Sequence, residues 1–206
     1  MARYLIEFRF FGKAKREIKE LVWKVNRKFR LSHARGRRPI PHITLVAPFT
    51  TIYQKKLVSD FKEICSKQPL IDFEVKGYGT FTKTRVVYIK IKPSKQLKKF
   101  RWNLSKTLRK YCKLLPRELK RKYYFHATIA MKIPSQKFKK IKKYVKEHKE
   151  PNYKHYLIRA TLLKNSKILY EYDFLLRRLL NRKQAKSKII LKETFIKLSQ
   201  FINLLI

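Results

Sequence analysis

Apolar and polar residues alternate along several short stretches of this chain, and between them apolar residues recur at helical spacing. Residues 3–8 alternate, as expected of a half-buried strand. In residues 14–29 the apolar positions lie three or four apart, which predicts an amphipathic helix. The same two periods predict strands at 43–47, 71–75, 87–92, 125–130, 156–163 and 168–175, and helices at 54–65, 96–112 and 135–147.

The predicted elements form an internal repeat, in which residues 87–92 correspond to residues 3–8. Each of these strands is followed by a helix, a loop, a second strand, a second helix and a further strand that closes its half. Residue identity between the halves is slight, so the repeat is one of pattern. We therefore expect an α+β fold, in which two pseudo-twofold-related lobes of antiparallel sheet and helices flank a central groove. Residues 1–180 would form one two-lobed domain, with the repeat at about 1–80 and 85–165.

One four-residue motif occurs once in each half: His42-Ile43-Thr44-Leu45 and His126-Ala127-Thr128-Ile129. On a strand, side chains two residues apart point to the same face, so each His shares a face with its Thr. A single motif of this kind is more often an ordinary half-buried strand, but its repetition favours a functional reading. Two imidazoles and two hydroxyls in one groove suit acid–base chemistry on a phosphoester, because one ring can accept a proton while the other donates one.

With these motifs the chain resembles the two-histidine phosphoesterase superfamily, and within it the 2′-5′ RNA ligase/cyclic phosphodiesterase (LigT-like) branch. The first motif and its flanks, residues 38–49, are very close to the pattern of that branch, although Ala47 stands where many relatives carry Gly. The hairpin at 162–174 is also similar. The resemblance covers residues 2–180 and implies that His42 and His126 are catalytic and that Thr44 and Thr128 bind the substrate phosphate. Lys132 stands where several relatives carry a basic residue.

The charge of the chain agrees with an RNA substrate. Lys and Arg number 54 against 13 Asp and Glu, which gives a net charge of +41. Such an excess attracts polyanions, although a solubilising lysine-rich surface is the alternative. Tyr124 lies two residues before His126 and could stack on a base or merely cover the lobe. Arg35, Arg37 and Arg38 precede the first motif and could clamp phosphates or form a solvated loop.

Other chemistries find little support in the residues. Cys65 and Cys112 lack the spacing of a zinc or redox motif, and four glycines form no phosphate-binding loop. No carboxylate cluster suggests a metal site, and Glu171 and Asp173 are expected to pair with nearby cations. We therefore expect no cofactor and no metal.

The end of the chain differs from the body. Residues 181–206 are expected to form a basic linker and an amphipathic C-terminal helix that docks on the body, pairs with another subunit or frays, with docking favoured. No apolar run is long enough for a membrane span, and charge interrupts the N-terminus too often for a signal peptide. A cytoplasmic protein is expected, and its oligomeric state is not predicted.

The leading hypothesis is an RNA 2′,3′-cyclic phosphodiesterase that hydrolyses a cyclic phosphate to a phosphomonoester, with a possible reverse 2′-5′ RNA ligase activity. The substrate would be RNA or a cyclic nucleotide. Members of the superfamily differ in which imidazole is the base; we expect His126 to activate water and His42 to be the acid. The basic surroundings are expected to lower the pKa of both rings. The alternatives are a non-catalytic RNA-binding module and a 3′-5′ RNA-trimming phosphoesterase.

Overall fold

The computed structural model of the chain describes residues 2–31 and 40–204. The strands in this part of the chain are β1 (Arg3–Arg9), β2 (His42–Thr50), β3 (Ile71–Phe81), β4 (Val86–Pro93), β5 (His126–Ala130), β6 (Asn152–Leu157), β7 (Arg159–Lys164), β8 (Lys167–Asp173) and β9 (Arg178–Asn181). The α-helices are α1 (Gly12–Phe29), α2 (Gln54–Ser66), α3 (Lys95–Leu108), α4 (Ser135–Lys146), α5 (Arg182–Lys186) and α6 (Lys188–Asn203).

The strands form two antiparallel sheets, which confirms the expected α+β class. Sheet 1 has the order β2-β1-β7-β8-β9, and sheet 2 has the order β5-β4-β3-β6. In each sheet the strand that carries the His-x-Thr motif is at the edge and pairs with the first strand of its own half. The two motifs therefore occupy equivalent places in the two sheets.

A further strand closes each half in chain order, as predicted, but β3 and β7 each join the sheet of the other half. The first half supplies β3 to sheet 2, where it pairs with β4, and the second half supplies β7 to sheet 1, where it pairs with β1. The strand predicted at 156–163 is in fact two strands, one in each sheet. At the crossing, the Ile158 N–H donates to the Tyr156 carbonyl at 3.1 Å, which turns the chain, and Ile158 itself is buried.

The exchange of strands gives the two halves one continuous hydrophobic core. Phe8 of β1 meets Phe73 of β3 edge to face, with ring centroids 5.5 Å apart. Helix α1 contacts β5, and helix α3 contacts β2, so each motif strand is backed by a helix of the other half. Cys65 and Cys112 are buried free thiols. No helix in the described ranges has the length and hydropathy that a membrane span requires.

The C-terminal segment docks on the body, as the favoured prediction states. The basic stretch at 177–186, expected to be a linker or a short helix, forms β9 and the short helix α5, and α6 follows. The Thr194 side chain of α6 is completely buried, and Phe195 packs edge to face on Phe11 with centroids 6.4 Å apart. Helix α6 therefore packs against sheet 1.

Candidate active site

The two motif strands show the same alternation of burial. His42 and Thr44 are partly exposed, while the intervening Ile43 and the following Leu45 are buried. In β5, His126 and Thr128 are likewise partly exposed between buried neighbours. Each His therefore shares a face with its Thr, and the opposite face of the strand belongs to the core.

Both imidazoles are oriented by the same local hydrogen bond. Nδ1 of His42 lies 2.8 Å from the carbonyl oxygen of Ile40, and Nδ1 of His126 lies 2.8 Å from that of Tyr124. A carbonyl oxygen can only accept, so Nδ1 carries the hydrogen in each ring. The Nε2 atom of each neutral ring is then left with a lone pair that can accept a proton.

Several contacts bring the two motifs to the same groove. Strand β2 contacts β5, and the Tyr123 hydroxyl donates to the Thr44 carbonyl oxygen at 3.2 Å. Burial raises the pKa of Tyr123, so this hydroxyl keeps its proton and remains a donor. Charge on His42 is also one of the smaller causes that lower the pKa of His126.

The surroundings of His126 are aromatic. Its ring packs edge to face on Phe81 with centroids 5.1 Å apart, and lies 5.2 Å from the Tyr88 ring. Tyr88 lies opposite Gly79 in the sheet, where a Cβ would come within 2.5 Å of the tyrosine ring. Glycine at this position therefore lets the Tyr88 ring pack against the strand.

Burial is the main cause that lowers the pKa of His126; its hydrogen bond to the Tyr124 carbonyl opposes this, and charge on His42 and Arg117 lowers the pKa further. The basic surroundings that the sequence suggested are thus a smaller cause than burial. At neutral pH the His126 ring is neutral and its Nε2 is a free base.

The surroundings of His42 are charged. Its Nε2 lies 3.8 Å from Oε2 of Glu7, and the other carboxylate oxygen of Glu7 accepts from Arg9 Nε at 2.6 Å. The Glu7 side chain is only 4% exposed, whereas that of His42 is 38% exposed. A buried carboxylate therefore lies beside the partly exposed imidazole of His42.

Glu7 belongs to a row of polar residues that crosses sheet 1 on the groove face. It pairs with Thr44 on one side and Thr161 on the other, and Thr161 pairs with Glu171. Directly opposite residues share a face of the sheet, so the row begins at the first motif and ends in the buried carboxylate of Glu171.

A buried ion pair, Arg159–Asp173, lies on the same face two residues from Thr161 and Glu171, and it bonds to helix α6. Arg159 Nε donates to Asp173 Oδ2 at 2.7 Å, and both side chains are fully buried. The Thr194 hydroxyl of α6 lies 2.7 Å from Arg159 Nη2 and 2.6 Å from Asp173 Oδ2. Arg159 also lies 3.5 Å from Glu171, so both carboxylates pair with a cation, as the sequence suggested.

The remaining predicted contacts have different outcomes. Tyr124 is 62% exposed beside His126, where its ring meets Phe81 at 6.5 Å. Lys132 is exposed in the turn after β5, with a left-handed φ of 52°. Arg35, Arg37 and Arg38 lie outside the described residues. Within the described ranges, no three His, Cys, Asp or Glu side chains form a group of metal ligands.

Sequence reasoning missed Glu7 and Tyr88, which lie opposite Thr44 and Thr128 in their sheets. In the sequence repeat, residues 3–8 align with 87–92, so Glu7 corresponds to Ile91. In the structure, the residue that takes the place of Glu7 opposite the motif threonine is Tyr88. Two irregularities in the pairing of β1 with β2, between Tyr4 and Ile6 and between Ile6 and Glu7, shift the register there. Such shifts leave no reliable signal in one sequence.

Comparison with known proteins places this geometry in a family. A family model described as the 2′-5′ RNA ligase superfamily matches residues 12–167. Solved structures with a similar fold include E. coli LigT complexed with phosphate, at 16% identity over 86% of this chain and 91% of that chain, with a TM-score of 0.50. LigT complexed with 3′-AMP gives 17% identity over 86% and 92%, also with a TM-score of 0.50.

Kluyveromyces marxianus Usb1 with uridine monophosphate is also similar, at 10% identity over 87% of this chain and 97% of that chain, with a TM-score of 0.48. The comparison with curated protein sequences found no match.

Proposed function

The chain belongs to the 2′-5′ RNA ligase superfamily, and from this premise we propose that it is an RNA 2′,3′-cyclic phosphodiesterase. The superfamily supports a phosphoesterase that acts on RNA. One observation carries the finer proposal: two oriented imidazoles line one groove, yet one is held neutral by burial and the other has a carboxylate beside Nε2. Unequal environments of this kind suit one base and one acid.

The proposed reaction uses the two rings in turn. Nε2 of His126 takes a proton from water, and the water oxygen attacks the phosphorus of the cyclic phosphate. The bond from phosphorus to one ribose oxygen breaks, and protonated His42 gives its proton to that departing oxygen. The product is a phosphomonoester, the class of compound to which 3′-AMP, bound in one LigT structure, belongs. With an RNA 5′-hydroxyl in place of water as the nucleophile, the same transfers in the same direction would open the cyclic phosphate at its 3′ oxygen and form a 2′-5′ linkage.

The two threonines would bind the phosphate. Thr44 and Thr128 lie two residues beyond the catalytic rings on the same faces. Their hydroxyls can donate hydrogen bonds to the non-bridging phosphate oxygens and so hold the phosphorus between the two Nε2 atoms. The Glu7 carboxylate would stabilise the charged form of His42 before it gives up its proton.

The direct test is hydrolysis of a 5′-labelled RNA oligonucleotide that ends in a 2′,3′-cyclic phosphate, assayed from pH 5 to 8 with EDTA present. We expect a single product of unchanged length with a terminal phosphomonoester. The His126→Ala protein, checked for folding by circular dichroism, is the matched control and should be nearly inactive. Absence of hydrolysis by the wild type at every pH would refute the proposal, and products shortened from the 3′ end would favour a trimming phosphoesterase instead.

A further inference from the structure

An open basic groove lies beside His126 and runs along β4 towards the beginning of α3. Its volume is about 750 Å³, within the range of cavities that hold a small organic ligand. Its exposed cations are Lys76, Lys90, Lys92, Lys98, Arg121 and Lys122; Arg101 also lines it but is buried and pairs with Glu118 at 2.7 Å. We call this the β4 groove. It is continuous with the candidate active site, because Lys90 lies opposite His126 and Tyr88 lies opposite Thr128 in sheet 2.

The charge of the β4 groove is poorly neutralised by the protein. Lys92 pairs with Glu74 at 2.8 Å. Among the described residues, the other five of these six cations have no carboxylate oxygen within 4.0 Å, and no Asp or Glu lines the groove. Surface cations without partners are free to bind phosphate oxygens and to release counterions on doing so.

Aromatic rings accompany these cations. The exposed ring of Tyr124 lines the groove, with Lys122 Nζ 5.8 Å from its centroid, and Tyr88 lines the end nearest His126. Alternation of cations with exposed aromatic rings is typical of surfaces that bind single-stranded nucleic acid, since the cations follow the backbone and the rings stack on bases.

The corresponding part of sheet 1 is closed. Helices α5 and α6 cover its groove face: Arg159 donates to the Ala185 carbonyl of α5 and bonds with Thr194 of α6. The face below them carries the buried carboxylates of Glu171 and Asp173. An RNA chain that extends from the active site over sheet 1 would therefore meet helices and buried carboxylates. Over sheet 2 it would meet the open, basic β4 groove.

From this asymmetry we infer that the β4 groove binds the single-stranded RNA chain that leads to the reacting phosphate. The inference rests on the proposed function and sharpens it: the substrate class is an oligonucleotide, and a cyclic mononucleotide would use only the terminal site. Successive phosphates lie against Lys76, Lys98 and Lys122, and a base stacks on Tyr124.

The binding test uses a 5′-fluorescein RNA 12-mer with an ordinary 3′-hydroxyl, so that no chemistry is required. Anisotropy titrations at several salt concentrations compare the wild type with the triple variant Lys76→Gln/Lys98→Gln/Lys122→Gln. The matched control is Lys139→Gln/Lys142→Gln/Lys146→Gln, which removes the same charge from another lysine-rich surface, on α4.

We expect the β4 variant to bind roughly tenfold more weakly at low salt and to lose roughly 2 from the slope of log K against log salt, about 0.7 for each lost contact. The α4 variant should retain the wild-type slope. Tyr124→Ala should weaken binding without changing the slope, since it removes stacking and no charge. Equal losses in the β4 and α4 variants would overturn the inference, because they would indicate a general attraction to a basic surface.

A kinetic arm separates this inference from the proposed function. With a cyclic-phosphate 12-mer the β4 variant should show a raised KM, whereas its kcat/KM for a 2′,3′-cyclic mononucleotide should equal that of the wild type. An equal loss on both substrates would contradict the inference. If the wild type hydrolyses neither substrate but binding still depends on the β4 groove, the inference stands as RNA binding and the proposed function falls.

Discussion

The two halves of the candidate site carry the same motif but differ in what faces it. In sheet 1, Thr44 lies opposite Glu7, a buried carboxylate that also approaches His42. In sheet 2, Thr128 lies opposite Tyr88, whose ring joins Phe81 around His126. A near-symmetric scaffold thus gives one imidazole a charged partner and the other a desolvated pocket. The motif selects the chemical groups, and the neighbouring strand determines what each group can do.

The largest expected effect comes from removing either imidazole. His42→Ala and His126→Ala should each lower kcat/KM by about 10²–10⁴, the usual contribution of one positioned proton-transfer group. The double variant should lose far less than the product of the single losses, because the two rings act together. Steady-state kinetics on the cyclic-phosphate oligonucleotide measure all three.

Thr44→Ala and Thr128→Ala are matched controls for this pair. Each removes a hydrogen bond to phosphate and leaves proton transfer intact, so its loss should be smaller than that of the neighbouring His variant. Near-normal turnover by His126→Ala would rule out a two-histidine mechanism, and with it the assignment of different roles to the two halves.

The sequence was sufficient to predict the motif positions and the fold class. Alternation around His42 and His126 identifies a strand with one buried face, and the pattern does not depend on contacts far away in the chain. The exchange of β3 and β7 between sheets was not predictable, since a strand of either half presents the same alternating pattern to either sheet. The position of Glu7 beside the first motif was not predictable for a similar reason. It depends on the register of two strands that are distant in sequence.

The second prediction concerns the closed end of sheet 1. Thr194→Val should lower the free energy of unfolding by about 2 kcal/mol, because it removes the hydroxyl that bonds to the buried Arg159–Asp173 pair. Urea unfolding measures the loss. Thr194→Ser keeps the hydroxyl and is the control, with a much smaller expected loss. Equal stability of the valine variant would mean that α6 does not depend on this contact for docking.

The third prediction concerns the charged half of the site. Glu7→Gln should lower kcat about tenfold with little change in KM, because protonated His42 loses its negative partner, and tenfold corresponds to about 1.4 kcal/mol of barrier. The amide oxygen can still accept from Arg9, so the fold should persist. Glu74→Gln, which removes a surface carboxylate paired with Lys92, is the matched control and should leave kcat unchanged. If both variants retain full kcat, the carboxylate beside His42 does not assist the acid.

The smallest expected effect is a shift in the pH dependence of kcat/KM when an aromatic ring beside His126 is removed. In the proposed mechanism His126 is the general base and must be neutral, so kcat/KM should fall as the pH drops through its pKa, which burial holds below the ordinary value. Phe81→Ala removes the ring packed on His126 at 5.1 Å, which admits water and raises this pKa. The acidic limb of the profile should then move to higher pH.

The direction of the change in activity with pH follows from this shift. Activity of Phe81→Ala should decline most below pH 6, where a larger fraction of His126 is protonated, and approach the wild type near pH 8. Phe201→Ala removes an aromatic ring that packs on Tyr156, with centroids 6.2 Å apart, and should leave the profile in place. If the acidic limb of the kcat/KM profile moves to lower pH or stays in place, the burial of His126 does not determine the pKa of the general base. The roles of the two rings would then have to be exchanged, with His42 activating water under the influence of Glu7.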